Sequence, residues 1–480
     1  YLSWLPASEF KGSTVYLRIR QADGSYRIFS PFMTPTLVPL DKWECHVGLS
    51  YSRWLVEHEG LAISVTIFVP AGSSTLLQDI RVTNISGQAQ SVDIIPVYEF
   101  SHFDALKQLT NADWVPQTMT LKAHSETSGH VVLEQYAFMK RDTAVNHVTA
   151  SQPATSWEGD RRVFLGRNEM GSWAHPLALD RERLSNSECL RGDNIAAQLF
   201  AAGSLAPGAA YRVVTQLGQS ASLKEAAGEI RKYRDHAAVV AAFADLGAFW
   251  ERSLAALQVK TPDPAFDSMV NIHNPRQCHT TKNWSRYLSL YQLGYGSDRG
   301  IGFRDSSQDL LGVMGHMPEE ARELAENLLS VQKRDGSAMH QYFPSTMEAN
   351  EGDAREKEDR PKYYGDDHLW VVLAVASYLR ETGKLAFLDK VIPFYEKEKS
   401  GQPTETGTVW EHLCRSLRFT QGHRGRHGLP LLGFADWNDT VNLPTGAESM
   451  FNANLFGTAL KDAIAIAELT GRPAEAAEVR

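Results

Sequence analysis

Residues 61–69 read Leu-Ala-Ile-Ser-Val-Thr-Ile-Phe-Val, and Pro-Ala-Gly-Ser follows. Leu61, Ile63, Val65, Ile67 and Val69 alternate with smaller or polar neighbours, a period of two that gives a β-strand one apolar face. Short runs of the same kind recur at 15–19, 76–83, 91–98, 118–122 and 211–216. Turn formers separate them, among them Ala22-Asp-Gly-Ser25, Asn84-Ile-Ser-Gly87 and Ala206-Pro-Gly208. Many short strands with regular turns predict an antiparallel β-sandwich over residues 1–218. Trp43, Tyr51, Trp54, Trp114 and Trp157 fit core and interface packing better than stacking on a sugar.

The period changes near residue 222. The stretch 222–234 has a helical composition, and 237–259 spaces Val240, Phe243, Leu246, Trp250, Leu254 and Leu257 three or four apart, as a buried helical stripe would be. We read 219–262 as a helical linker, ended by Thr261-Pro-Asp-Pro264. From 263 to 480 the regular segments are helical, with candidates at 266–276, 285–292, 306–315, 319–333, 366–382, 385–398, 407–419 and 449–470. Consecutive helices joined by loops rich in Gly, Asp, Trp and His predict a helical toroid whose site is built from its loops. The chain opens on Tyr1-Leu-Ser-Trp4 and closes on Pro473 and acidic residues that read as a helix start, so it is expected to be part of something longer.

Composition narrows the function. With 48 Lys+Arg against 57 Asp+Glu and a net charge of −9, the chain is a poor partner for nucleic acid or an anionic membrane. It has no run of about 18 apolar residues that would make a transmembrane helix. Cys45, Cys189, Cys278 and Cys414 are far apart and show no metal-binding spacing, which argues against a disulfide scaffold or a structural zinc and fits a reducing compartment.

Two loops carry chemistry. Tyr295-Gly-Ser-Asp-Arg299-Gly-Ile-Gly-Phe-Arg304-Asp305-Ser-Ser-Gln308-Asp309 offers two guanidiniums, three carboxylates and a Gln, a donor and acceptor set suited to a polyol. The same residues also suit an ion-pair network pinning a turn, with Asp305 or Ser306 as N-cap. Gly433-Phe-Ala-Asp436-Trp437-Asn438-Asp439-Thr440 puts two carboxylates beside an indole. That indole suits the floor under a pyranose ring, and a carboxyl desolvated beside it would keep its proton, as a general acid must. An Asx-type turn is the structural alternative. His340 and Gln341, with the cluster Tyr364-Gly-Asp366-Asp367-His368, could face the same cavity, or Asp366 could simply cap its helix. Residues 348–362 read as a solvated loop, and Gln421-Gly-His-Arg-Gly-Arg-His427 as a basic loop able to attract phosphate or merely solvated.

Asn283-Trp-Ser-Arg-Tyr-Leu-Ser-Leu-Tyr-Gln-Leu-Gly294, Gly302-Phe-Arg-Asp-Ser-Ser-Gln-Asp309 and Gly433-Phe-Ala-Asp-Trp-Asn-Asp439 resemble glycoside hydrolase family 94, which holds the cellobiose, cellobionic acid, laminaribiose and chitobiose phosphorylases. The resemblance implies an α+β multidomain chain: antiparallel β-sandwich, helical linker, and an (α/α)6 barrel that is incomplete at the C-terminus. It implies an inverting glycoside phosphorylase that splits a β-linked glucosyl disaccharide or short oligosaccharide with inorganic phosphate, giving α-glucose 1-phosphate. Asp439 matches the general acid, Trp437 lines the subsite of the transferred glucosyl unit, and Arg299 and Asp305 fall where ligands to its hydroxyls belong. Arg304 lies in the same motif and suits either sugar or phosphate; Gln308, Asp309, His340 and Gln341 complete the expected substrate-binding set. The remaining phosphate ligands of the family come from later segments. No metal or organic cofactor is implied, and a cytoplasmic homodimer is. A phosphate nucleophile needs no general base, so one carboxyl acid suffices where an inverting hydrolase needs two. The alternatives are such a hydrolase, with Asp366 or Asp367 as base, or a non-catalytic carbohydrate-binding protein.

Overall fold

A computed structural model describes residues 12–100, 119–137, 144–166, 171–285, 300–344, 346–441, 443–474 and 477. Arg299, Trp114 and most of the 285–292 helix lie outside the described residues. The chain divides into two compact units between Trp250 and Glu251.

The first unit is built from antiparallel strands. Their ranges are β1 Ser13–Arg20, β2 Tyr26–Phe29, β3 Lys42–Val47, β4 Tyr51–His58, β5 Leu61–Phe68, β6 Thr75–Asn84, β7 Gln90–Glu99, β8 Met119–Ser125, β9 Val131–Ala137, β10 Val145–Ala150, β11 Ser156–Asp160, β12 Asn194–Leu205 and β13 Ala210–Ser220. One sheet runs β11-β12-β7-β1-β2 and the other β3-β4-β5-β6-β13-β10-β9-β8. Their facing sides bury Val15, Leu17, Ile19, Val92, Ile94 and Phe200 against Val56, Leu61, Ile63, Val65, Ile80, Val82 and Val213. The alternation of β5 thus points Leu61, Ile63 and Val65 into the sandwich, as its period requires.

The smaller sheet is covered on its second face as well. Phe164, Trp173, Ala178, Leu179 and Leu184 pack over Tyr16, Ile95, Val97, Ile195, Ala197 and Leu199. This explains why β1 is buried without interruption from Thr14 to Ile19, and it forces a cation indoors. Arg18 is 1% exposed. Its Nε donates to Asp93 Oδ2 at 2.7 Å, Nη1 to Leu179 O at 2.8 Å and Arg181 O at 2.5 Å, and Nη2 to Glu182 O at 2.7 Å. One buried guanidinium therefore satisfies the backbone of the covering segment and ties it to the sheet. Three of the aromatic residues read as packing do pack: Trp54 meets Phe32 edge-on at 4.6 Å, Trp157 joins the apolar cluster around Leu121, and Tyr51 meets Phe243 edge-on at 5.1 Å, whereas Trp43 is 42% exposed.

Two helices follow, α1 Leu223–Lys232 and α2 His236–Ala255. Ser222 caps α1 by accepting from Glu225 N. The buried stripe of α2 is Val239, Ala242, Leu246 and Trp250. Val240 and Leu257, expected inside, are 57% and 46% exposed. Leu246 and Trp250 are inside as expected, and Val239 and Ala242 complete the inward face.

The second unit is helical. Short helices Pro264–Ser268 and Asn274–Thr280 alternate with wider turns Met269–His273 and Thr281–Ser285. The longer helices are α3 Phe303–Val313, α4 Pro318–Ser330, α5 Asp367–Thr382, α6 Val409–Gly422 and α7 Met450–Leu469. α5 is apolar nearly all round and central, with α3, α4, α6 and α7 packed against it. It stops at Gly383, whose φ of +66° allows its N–H to reach Leu379 O. The expected helix at 385–398 is instead a 3-10 turn, Leu385–Asp389, and a strand, β17 Val391–Pro393, paired with β18 Thr406–Thr408. Consecutive β-branched residues and then Pro393 deny a helix there. The architecture is an antiparallel sandwich followed by a helical domain; among the described residues the helices form an array, not a closed (α/α)6 ring.

Replacing Arg18 by Leu strips three carbonyls and Asp93 of their donor. We expect a loss of about 3–5 kcal/mol in the denaturant-induced unfolding of the sandwich; a loss below about 1 kcal/mol would show that water satisfies these groups instead.

Candidate active site

Three segments of the helical unit are brought side by side. A small sheet, β14 Ile301–Gly302, β15 Gln341–Tyr342 and β16 Ala349–Asn350, leads straight into α3. Ile301 pairs with Tyr342 and Gly302 with Gln341, Gly300 N donates to Gln341 Oε1 at 3.0 Å, and Phe303 N to His340 O at 2.8 Å. The ladder sets Arg304 and Asp305 next to His340. A Cβ on Gly302 would lie 2.4 Å from Asp305 Oδ2, so only glycine lets that carboxylate fold back over the start of α3. Gly302 itself occupies the N-cap position, and neither Asp305 nor Ser306 does.

The other two segments form a second ladder. Tyr364 bridges Gly433, Phe434 N donates to Tyr363 O at 2.8 Å and Gly365 N to Ala435 O at 3.0 Å. Gly433 has φ +71°, and a Cβ there would stand 2.6 Å from Tyr363 O. Asp366 and Asp367 at the head of α5 thereby lie beside the Asp436–Asp439 loop.

Arg304 joins all three. Its side chain is only 6% exposed. Nη1 donates to Asp366 Oδ1 and Oδ2 at 3.2 and 3.4 Å and to Asp436 O at 2.6 Å, and Nη2 pairs with Asp439 Oδ1. Asp366 is wholly buried, whereas the side chain of Asp439 is 52% exposed and faces outward. The turn reading of the Asp436–Thr440 loop holds for two of its residues. Asp436 accepts from Asn438 N at 3.0 Å and Ser449 Oγ at 2.7 Å, and Asn438 Oδ1 from Thr440 N at 3.2 Å, as turn residues do. Asp439 is left for chemistry.

The expected source of a protonated acid is corrected. Trp437 is 55% exposed, so its indole does not desolvate the neighbouring carboxyl. Desolvation acts on Asp366, which burial, reinforced by the charge of Asp367 and opposed by Arg304, pushes up to about 7. Nor does Asp366 cap α5 through its side chain; its Oδ2 accepts from Trp370 Nε1 at 3.0 Å. His340 lies flat on Tyr364, with ring centres 3.6 Å apart, and its Nδ1 meets Asp367 Oδ2 at 2.9 Å. Burial disfavours the imidazolium, but the Asp367 carboxylate outweighs it, so His340 protonates more readily than an ordinary histidine. His368 is structural: it bonds Thr420 Oγ1 at 2.6 Å, and burial pushes it down to about 3.

The remaining expected residues divide. Asp305 is in the first turn of α3 beside Arg304. Gln341 is spent on the backbone of Gly300. Asp309, one turn beyond Asp305, faces Cys278 and Tyr342, raising the thiol and the phenol together with their burial. Gln308 is half-buried and makes no side-chain hydrogen bond among the described residues. The basic loop spends itself locally: His427 Nδ1 pairs with Glu448 at 2.5 Å and His423 stacks on Phe419 at 4.0 Å. The 348–362 segment is partly ordered, with a 3-10 turn at Gly352–Glu356, and Lys362 Nζ donates to Ala354 O at 2.8 Å. Trp370 escaped the sequence reading as a site residue; the signal was the adjacent acidic pair opening an otherwise apolar helix.

A sandwich followed by a helical domain with an Arg–Asp–Trp cradle at its loops is the design of a carbohydrate-active protein. The family model described as "Glycosyl hydrolase 94 superfamily, catalytic domain" matches residues 249–480, and "Glycosyl hydrolase 94, supersandwich domain" matches 4–236. The chain belongs to glycosyl hydrolase family 94. It is 30% identical to an N,N'-diacetylchitobiose phosphorylase of Vibrio furnissii, over 92% of this chain and 54% of that protein. It is 26% identical to a solabiose phosphorylase of Paenibacillus borealis, over 91% and 52%, and 23% identical to a cellobionic acid phosphorylase of Neurospora crassa, over 90% and 50%. The chain spans about half the length of the curated relatives it matches.

The raised carboxyl of Asp366 has a signature in stability. An unfolded Asp releases its proton near 3.8 and this one near 7, so between those values the folded state holds the extra proton. Its contribution is full below about pH 4 and is lost as pH rises through 7. We expect Asp366→Asn to flatten the fall in unfolding free energy between pH 4 and 7, a slope of at most about 1.4 kcal/mol per pH unit. Parallel pH curves for the two proteins would contradict it.

Proposed function

We propose that the full-length protein is an inverting glycoside phosphorylase, a glycosyltransferase acting on a β-linked glucosyl disaccharide or short oligosaccharide with inorganic phosphate. The observation that carries the reading is the outward, half-exposed carboxyl of Asp439, held by Arg304 beside the exposed indole of Trp437. As general acid, Asp439 draws a proton through its solvent-facing side and passes it to the glycosidic oxygen as the bond to the anomeric carbon breaks. Phosphate attacks that carbon from the opposite face, leaving α-glucose 1-phosphate and the freed acceptor sugar. Once the proton has gone, Asp439 is a carboxylate, and the Arg304 ion pair is the arrangement that receives it. Trp437 supplies the apolar surface under the ring, and Asp305 with Arg299 takes its hydroxyls. His340, held by Asp367, adds positive charge near the anion's path. The names of relatives at 29–30% identity make an N-acetylglucosaminyl disaccharide a second candidate donor.

The reaction as proposed uses phosphate as co-substrate and no metal or organic cofactor. The family resemblance supports a barrel domain at 263–480 and a cytoplasmic homodimer, and the net charge of −9 disfavours nucleic acid or an anionic membrane as partner. No helix among the described residues is long and apolar enough to cross a membrane. A hydrolase on the same site would need a base in contact with water; the complete burial of Asp366 and Asp367 weighs against either in that role.

Incubating the full-length protein with cellobiose or N,N'-diacetylchitobiose should give sugar phosphate only when inorganic phosphate is present. Asp439→Asn should lower that turnover about 10²–10⁴-fold while leaving the melting temperature unchanged, since the side chain is half exposed. Free sugar released equally without phosphate would establish the hydrolase, and saturable sugar binding with no product the carbohydrate-binding protein.

A further inference from the structure

The proposed reaction gives Asp366 no part, yet this buried side chain is tied through Arg304 to the acid. Its Oδ2 accepts from Trp370 Nε1 at 3.0 Å, one turn along α5, and both oxygens accept from Arg304 Nη1 at 3.2 and 3.4 Å. A guanidinium is a planar fork, so holding one nitrogen decides where the other points. Here Nη1 is held by Asp366 and Asp436 O, and Nη2 is thereby delivered to Asp439. The groups facing Asp366 are Arg304, Asp367, Trp370 and Asp436. Asp367 meets His340 at 2.9 Å, and Asp436 turns its carboxylate to Ser449 and Asn438. Asp366 and Arg304 are therefore committed to each other.

We propose that Asp366 is a positioning residue: clamped by Trp370, it sets the plane of Arg304 so that Nη2 meets Asp439 and aims the acid at the glycosidic oxygen. For its catalytic consequence this rests on the phosphorylase reading. The relay Trp370–Asp366–Arg304–Asp439 runs from α5 to the half-exposed carboxyl of Asp439. Asp366, being wholly buried, never touches substrate. Its loss should therefore damage the chemical step and leave sugar binding nearly intact, because a misaimed acid still lies in a site whose hydroxyl ligands are in place.

The test uses the full-length protein with inorganic phosphate and, in parallel, cellobiose and N,N'-diacetylchitobiose. For Asp366→Asn we expect kcat to fall about 10–100-fold with KM for the disaccharide within about threefold, and the acidic limb of the kcat–pH profile to move. Trp370→Phe, which removes only the clamp on Asp366, should change kcat in the same direction by less. Crystals of Asp366→Asn should show Arg304 turned away from Asp439. Unchanged kcat and pH profile, or Arg304 still seated on Asp439 in those crystals, would overturn the assignment. Should Asp366→Asn fail to fold, Trp370→Phe decides: a folded variant with unaltered kcat also overturns it. If the unsubstituted protein turns over neither sugar, the phosphorylase reading falls, and the position of Arg304 in the variant crystals still judges the clamp.

Discussion

A single guanidinium, that of Arg304, holds the candidate site together. It is almost wholly enclosed, and it meets two carboxylates and a carbonyl drawn from segments 62 to 135 residues away in the chain. A buried cation without partners is prohibitively costly, and so is a buried carboxylate. Arg304 and Asp366 are tolerable only together, and their pairing obliges the start of α3 to lie against the start of α5. Asp439, the exposed member, inherits its place from that obligation. The site is thus a by-product of satisfying charge in the interior, with one carboxyl left over at the surface.

The same device appears in the sandwich. Arg18 is enclosed beneath the segment that covers the smaller sheet and donates to carbonyls 161 to 164 residues ahead of it. In both units an arginine reaches forward across the chain and fixes a later loop. Arginine suits the task because its fork spreads donors in one plane and keeps its charge at any working pH. The glycines play the complementary part. At Gly302 and Gly433 the absence of a Cβ lets carboxylate and backbone approach to distances that no other residue permits.

Much of this was legible in the chain itself. The strands at 61–69, 76–83 and 91–98 appear within one residue of their expected bounds, and the one at 211–216 runs on to Ser220. Asp439, Arg304 and His340, read as site candidates from their motifs, do lie together. What failed has definite causes. The helix expected at 385–398 gave way to a strand at Pro393, Val240 and Leu257 of the expected helical stripe face solvent, and the indole of Trp437 stands in solvent where it was expected to shelter an acid. Gln341 and Asp309 have the right chemistry but are occupied by Gly300 and by the Cys278–Tyr342 packing.

Local patterns record what each segment does with its own apolar face, so element type, the change from sheet to helix near residue 222 and the chemistry of the two loops could be read from residue order alone. Which carboxylate is buried and which is exposed could not. Asp366, Asp436 and Asp439 are the same residue type in similar polar surroundings along the chain, and they differ only in what folds over them. That depends on the ladder between Tyr364 and Gly433 and on the reach of Arg304, contacts between residues far apart in sequence whose energy no local pattern encodes. The tertiary structure therefore decided the roles: one aspartate is clamped inside, one closes a turn, and one is presented to solvent.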